Sequence, residues 1–188
     1  MWHKKGAPLR SDAQRNRERI LAVALAELTR SADAPLSRIA RKACVGQGTF
    51  YRHFPTREAL VLEIYRHEMS QVADSAAELL ATREPDVALR EWMDRLARFA
   101  MTKAGLADAI RQATCSPGHA PVTEAAELLL RAGEKAGTVR TGVTADDFFL
   151  AIAGLWQIDP RDDWQPRATR LLDLVMDGLR TGTAGTEK

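Results

Sequence analysis

Between Gly46 and Pro55 the chain reads GQGTFYRHFP, which gathers an amide (Gln47), a hydroxyl (Thr49), a phenol (Tyr51), a guanidinium (Arg52) and an imidazole (His53) in one short run. These groups hydrogen-bond to base edges and phosphate oxygens, and none is a strong nucleophile or a paired acid and base. Phe50 and Phe54 are four residues apart, so on a helix they share one side and can anchor it. A helix this short does not stand alone in water, so its neighbours must hold it. Aromatic anchors on one side with polar reach on the other meet the needs of insertion into a major groove. There Arg52 would read guanine or hold a phosphate, Gln47 would read adenine, and Thr49 or Tyr51 would touch thymine methyls or phosphates. Gly48 has two readings: close approach of the backbone to a groove wall, or room for a neighbouring helix. Its cost of about 1 kcal/mol in a helix interior asks for one or the other.

Other chemistries fail on spacing. HEMSQ at 67–71 begins like a zinc-binding H-E-x-x-H, but Gln71 stands where the second histidine is required. GQGTFY lacks the third glycine of a dinucleotide fingerprint and follows no strand pattern. The four histidines, His3, His53, His67 and His119, are widely spaced, and Cys44 and Cys115 form no C-x-x-C. No metal, cofactor or disulfide framework is expected, and the thiols read as reduced. His53 is open to two roles, a phosphate contact or a packed partner of the first helix.

The elements that must position this run are helical. Apolar residues recur at helical spacing along the whole length, and no alternating β-branched stretch argues for a sheet, so the chain reads as all-α. A first helix is expected from Ser11 as N-cap to Arg30, burying Ile20, Leu21, Ala24, Leu25 and Leu28. A second covers 36–43, with Pro35 in its first turn. A third covers Gln47 to His53. Pro55 stops it, and Thr56 caps a long fourth helix that starts at Arg57 with Glu58 in its first turn. The free N–H groups and dipole of that helix start, with Thr56 and Arg57, offer a phosphate seat.

Beyond it, Pro, Gly and Asp clusters at 82–86, 102–106, 115–121, 136–144 and 159–166 separate five more helices. TADD at 144–147 reads as a capping-box variant before the apolar run FFLAIAGLW. In the last helix Ala168, Leu171, Leu172, Val175, Gly178 and Leu179 form a stripe wide enough for more than one neighbour.

Length suits one core or a small domain attached to a larger one, and 45% hydrophobic with 28% charged residues describes a chain that folds in water. No apolar run reaches the roughly 20 residues of a membrane helix, and the N-terminus lacks an apolar signal core, so a cytoplasmic location is expected. The net charge of +2 conceals an asymmetry. Residues 1–67 hold 13 Lys/Arg against 6 Asp/Glu, and residues 68–188 hold 14 against 19. The basic third is where a polyanion would bind. The tail MWHKKGAPLR, with Lys4, Lys5 and Arg10, reads either as a solvated end or as a minor-groove or phosphate arm.

The segment IARKACVGQGTFYRHFPTREAL (39–60), with RERILAVALAEL (17–28) before it, resembles the DNA-binding part of the TetR-type transcriptional regulators. That resemblance implies an N-terminal helix-turn-helix domain (1–56), joined by a long helix to a C-terminal effector-binding and dimerisation domain (57–188). It further implies a homodimer, formed through the last two helices, that binds a near-palindromic double-stranded DNA operator as a repressor and releases it when a small molecule enters. By position Gln47, Gly48, Thr49, Tyr51, Arg52 and His53 fall in the recognition helix, Ser37 and Arg38 on the exposed side of the second helix, and Thr56 and Arg57 at the phosphate-contacting start of the fourth. A tilt of that fourth helix would change the spacing of two recognition helices. Three residues depart from the family pattern: Cys44 replaces a turn glycine, Gly46 a capping serine and Pro35 a capping, phosphate-contacting threonine. Trp92, Phe99, Phe148 and Trp156 are the candidates for an effector cavity, which favours a hydrophobic or aromatic effector. The competing reading is a helical enzyme or small-molecule-binding protein that does not bind DNA.

Overall fold

The computed structural model describes residues 8–31, 33–102 and 120–181. Among them the regular elements are α1 (Pro8–Arg30), α2 (Leu36–Lys42), α3 (Gln47–His53), α4 (Arg57–Leu80), α5 (Pro85–Thr102), α6 (Ala120–Lys135), α7 (Ala145–Ile152) with a 3-10 turn (Ala153–Gln157) behind it, and α8 (Trp164–Leu179). The expected helix between 106 and 115, Cys115 and residues 1–7 of the basic tail lie outside the described residues. Ser11 is not the N-cap of the first helix: α1 already runs from Pro8, a residue suited by its fixed φ to a first helical turn.

The chain divides into two compact units, and the division falls inside α4 between His67 and Glu68. In the first unit, α1 contributes Ile20, Leu21, Ala24 and Leu28 to a core shared with Ile39 and Ala40 of α2, Phe50 and Phe54, and Leu60, Val61 and Ile64 of α4. The spacing of these residues along α1 is the 3.6-residue period that puts them on one stripe. The first turns of α4 therefore belong to the core that supports α3. Pro35 occupies the N-cap position of α2, one residue earlier than expected; its carbonyl accepts from Arg38 and Ile39 N–H at 2.9 and 3.2 Å, but it has no side-chain oxygen to cap with.

In the second unit, α5 buries Ala88, Leu89, Trp92, Met93 and Leu96 and packs against α6 and α8, in a core that also holds Val122, Ala126 and Leu129 of α6, Phe148 and Ile152 of α7, and Leu172 and Met176 of α8. Arg90 ties α5 to α8, donating from Nε and Nη2 to Oδ1 of Asp173 at 3.0 and 2.9 Å. The end of α6 turns back sharply. Gly137 takes φ +71°, and at Gly133 a Cβ would lie 2.5 Å from Cγ2 of Val139, so only glycine lets the returning chain pass. Arg140 N–H then donates to the Leu179 carbonyl at 2.8 Å, pinning the end of α8.

The capping box at the start of α7 is complete. Asp147 N–H donates to Thr144 Oγ1 at 3.1 Å, and Thr144 N–H donates to Asp147 Oδ2 at 3.2 Å. The hydrogen bonds from the Thr144 hydroxyl and backbone hold the Asp147 carboxyl below its ordinary value. Thr144→Ala removes one half of the box and is expected to lower stability by about 1 kcal/mol in urea unfolding.

Candidate nucleic-acid interface

α3 is held as its aromatic spacing requires. Phe50 and Phe54 are buried at 0% and 2% exposure with ring centroids 5.5 Å apart, while Gln47, Gly48, Thr49, Tyr51, Arg52 and His53 are all exposed. Tyr51 stands edge-on to Phe50 at 5.7 Å, which orients its ring while leaving it 40% exposed. His53 is a surface residue beside Phe54, at 6.2 Å between ring centroids, and is not buried against the first helix. Arg17 of α1 covers the outer side of the anchor. Its guanidinium carbon is 5.9 Å from the Phe54 centroid, and the same group is paired with Glu63 of α4. A Cβ at Gly48 would meet nothing within 4 Å, so no neighbouring helix needs the space.

The turn that aims α3 is a complete Schellman motif. Val45 N–H donates to the Ala40 carbonyl at 3.0 Å and Cys44 N–H to the Arg41 carbonyl at 3.1 Å, with Cys44 itself at φ +53°. The glycine-type geometry is thus kept by a residue with a side chain, and the backbone carries the strain. Gly46 at the N-cap of α3 accepts from Phe50 N–H at 2.9 Å through its carbonyl and supplies no side-chain cap.

At the start of α4 part of the expected phosphate seat is engaged within the protein. Ala59 N–H donates to Thr56 Oγ1 at 3.1 Å, and hydrogen bonds from the Glu58 backbone and the Thr56 side chain hold the Glu58 carboxyl below its ordinary value. Arg57 is half-buried and donates from Nη2 to the Ala34 carbonyl at 2.6 Å, strapping α4 to the turn before α2. Ser37 and Arg38 are half-buried on α2. Arg38 lies 3.0 Å through Nε from Oε2 of Glu27, a carboxylate on α1 that is only 2% exposed. Lys42 donates to the other oxygen at 2.7 Å and Arg30 reaches it at 3.0 Å. The Lys42 hydrogen bond, with the charges of Arg30, Lys42 and Arg38 behind it, keeps the Glu27 carboxyl below its ordinary value against the opposing effect of burial. Sequence reasoning missed this cluster. The available signal was an acidic residue next to Leu28 and three residues after Ala24, on the apolar side of α1.

Among the described residues the four effector candidates stand in different surroundings. Trp92 is buried core, its Nε1 donating to the Val72 carbonyl at 2.8 Å, and it packs 6.1 Å from Phe148. Phe99 borders a cleft of about 320 Å³ with Gln71, Val72, Ser75, Arg95 and Arg98. Phe148 borders a separate groove of about 610 Å³ between α7 and α8. Trp156 stands 53% exposed, because the 3-10 turn that follows α7 rotates it out of the core. Among the described residues no three metal-ligating side chains come together, and no helix is long and apolar enough to cross a membrane.

Residues 20–64, which contain the whole of this interface, match the family described as bacterial regulatory proteins, tetR family. Residues 84–181 match the C-terminal domain described as transcriptional regulator SbtR-like. The chain belongs to the TetR family of transcriptional regulators. As a TetR-family protein it is a DNA-binding regulator and not an enzyme, and the competing reading falls away. It is similar to a TetR transcriptional regulator from Streptomyces coelicolor, at 42% identity over 88% of this chain and 99% of that one, with a TM-score of 0.73. A TetR transcription regulatory protein from Mycobacterium vanbaalenii is 35% identical over 93% and 100% of the two chains, with a TM-score of 0.71. FadR of Thermus thermophilus, a TetR family transcriptional repressor in complex with lauroyl-CoA, shares the fold at 21% identity, covering 92% and 99% with a TM-score of 0.60. A search of curated proteins finds no match.

The strained turn of this TetR-family regulator gives a test of its own. Cys44→Gly relieves a left-handed conformation worth about 1–2 kcal/mol for a residue with a Cβ, less the extra backbone entropy of glycine, about 0.5–1 kcal/mol. A net gain of roughly 0.5–1 kcal/mol in urea unfolding is expected, with Cys44→Ala giving no such gain.

Proposed function

We propose that this regulator is a homodimeric repressor that reads a near-palindromic operator with α3 and releases it when a small-molecule effector occupies the C-terminal part. In this reading residues 1–56 read DNA and residues 57–188 bind the effector and form the dimer. The observation that carries it is the division of α3: two aromatics buried and Gln47, Thr49, Tyr51, Arg52 and His53 all turned outward beside a glycine whose Cβ position is empty. That leaves the backbone at Gly48 free to approach a groove wall while the neighbouring amide, hydroxyl and guanidinium reach base edges. Arg52 is assigned to guanine or phosphate and Gln47 to adenine, with Ser37, Arg38, Thr56 and Arg57 on flanking phosphates. Of these, Arg57 and Thr56 act with part of their hydrogen-bonding capacity already engaged inside the protein.

Dimer formation is assigned to the outer faces of α7 and α8. Leu150 and Leu174 are 75% and 70% exposed, Trp156 follows Leu150 by six residues and is also exposed, and Val175 and Gly178 line the same groove as Leu174 on α8. Apolar side chains left this open on two consecutive helices are what a helical dimer interface covers. The groove holding Phe148 lies on this face and would be covered by the partner, so the cleft beside Phe99 is the better place for an effector. FadR of Thermus thermophilus, with lauroyl-CoA bound, shows that one protein of this fold accepts a ligand with a long apolar part.

Selection of bound sequences from a random duplex library by the purified protein identifies the operator. Arg52→Ala is expected to weaken binding to that duplex by about ten- to a hundred-fold, in line with a base contact of roughly 1–3 kcal/mol, while sedimentation still shows a dimer. Leu174→Glu is expected to give a folded monomer in sedimentation at micromolar concentration. A dimer unaffected by that charge would place the interface elsewhere.

A further inference from the structure

Glu27 is an unusual residue to find in the basic unit of a DNA-binding protein. Its carboxylate is 2% exposed, so it has lost most of its hydration, and its own charge opposes a polyanion. Neutralising it would take one cation, yet three converge on it: Lys42 Nζ at 2.7 Å and Arg30 Nη2 at 3.0 Å on Oε1, and Arg38 Nε at 3.0 Å on Oε2. The three side chains remain 66%, 39% and 46% exposed for Arg30, Arg38 and Lys42. The result is a buried anion under an outward-facing group of cations with a net charge of two.

The geometry is directional as well as charged. Arg38 and Lys42 are one turn apart on α2, and Arg30 closes the last turn of α1. The Arg38 Nε to Oε2 approach is an ion pair without hydrogen-bond alignment, since neither atom has a hydrogen-bond partner. Its terminal nitrogens remain available for the two-pronged grip that arginine makes on phosphate oxygens. A long flexible side chain loses rotamer freedom on binding, and a buried carboxylate that fixes its inner end removes part of that loss in advance.

We propose that Glu27 is a positioning residue for DNA binding, holding Arg30, Arg38 and Lys42 as a single clamp for backbone phosphates of the operator. This rests on the DNA-reading surface assigned above and adds Arg30 and Lys42 to it. The proposal separates position from charge. By charge alone, removing an acidic group beside DNA strengthens binding; by position, removing Glu27 weakens it.

The test is duplex binding by Glu27→Gln across a salt series, using the best duplex from the library selection and a random-sequence duplex of equal length, with thermal melting as the check on folding. The clamp predicts that the ratio of selected to random affinity falls about tenfold and that the slope of log affinity against log salt becomes shallower by roughly one to two, despite the added positive charge. Equal or tighter binding with an unchanged or steeper slope would overturn it, as would a lower melting temperature with both binding quantities intact, which marks a helix tie only. If Glu27→Gln does not fold, Arg38→Gln and Lys42→Gln decide the matter. Each should make the slope shallower by about 0.9, and unchanged slopes in both refute the clamp. If the unaltered protein preferred no selected duplex over random DNA, the operator reading would fail, while the slopes of these two variants on random duplex would still decide the clamp.

Discussion

Everything proposed for the exposed face of α3 depends on the burial of two phenyl rings. α3 is seven residues long, too short to pay nucleation from its own hydrogen bonds, and Phe50 and Phe54 supply what the backbone does not. Each fully buried aromatic ring is worth about 1.5–3 kcal/mol of transfer free energy, which is of the size needed to fix a helix with only a turn or two of ladder. Because the rings sit on one side, the remaining side chains are forced outward. Exposure of the polar set is therefore a consequence of the anchor. The supports of that anchor come from all directions in the first unit: Arg17 over the Phe54 ring, the first turns of α4 beneath it, and α1 and α2 in the same core.

Around the anchor, the unit replaces missing local signals with nonlocal ones. Neither α2 nor α3 has a side-chain N-cap, since Pro35 and Gly46 stand where an oxygen would help. The turn between them keeps the Schellman geometry at the cost of a positive φ at Cys44. What compensates is tertiary. Glu27 ties α1 to α2 through Arg38 and Lys42, and Arg57 ties α4 to the turn before α2. A short helix pair with weak ends can tolerate this when buried contacts and charge pairs over-determine its position.

The second unit is organised by different means. Strong local signals are present there, with a full capping box on α7 and a glycine turn after α6, and its core is built on the broad apolar faces of α5, α6 and α8. α8 is apolar on more than one side: Ala168, Leu172, Met176 and Leu179 are buried, while Leu174 is open and Leu171 and Val175 are half-buried. Helical periodicity alone shows a wide stripe. It does not show that part of the stripe faces the core and part faces outward, since that depends on where α5 and α7 pack.

The sequence by itself determined the helical class, the bounds of α3, the division between aromatic anchors and exposed polar side chains, the Thr144 cap and the family. Each of these follows from spacing or from a residue's local chemistry, which act within a few residues. Only the tertiary structure decided how Cys44 is accommodated, that Gly48 is free of neighbours, that Arg57 is engaged with Ala34, that Trp92 is core while Trp156 is on the surface, and that Glu27 gathers three cations. These depend on groups far apart in the chain: Glu27 and Lys42 are 15 positions apart, and Arg57 and Ala34 are 23. A local pattern fixes which way a side chain points on its own helix. What it then meets is set by the packing of the others.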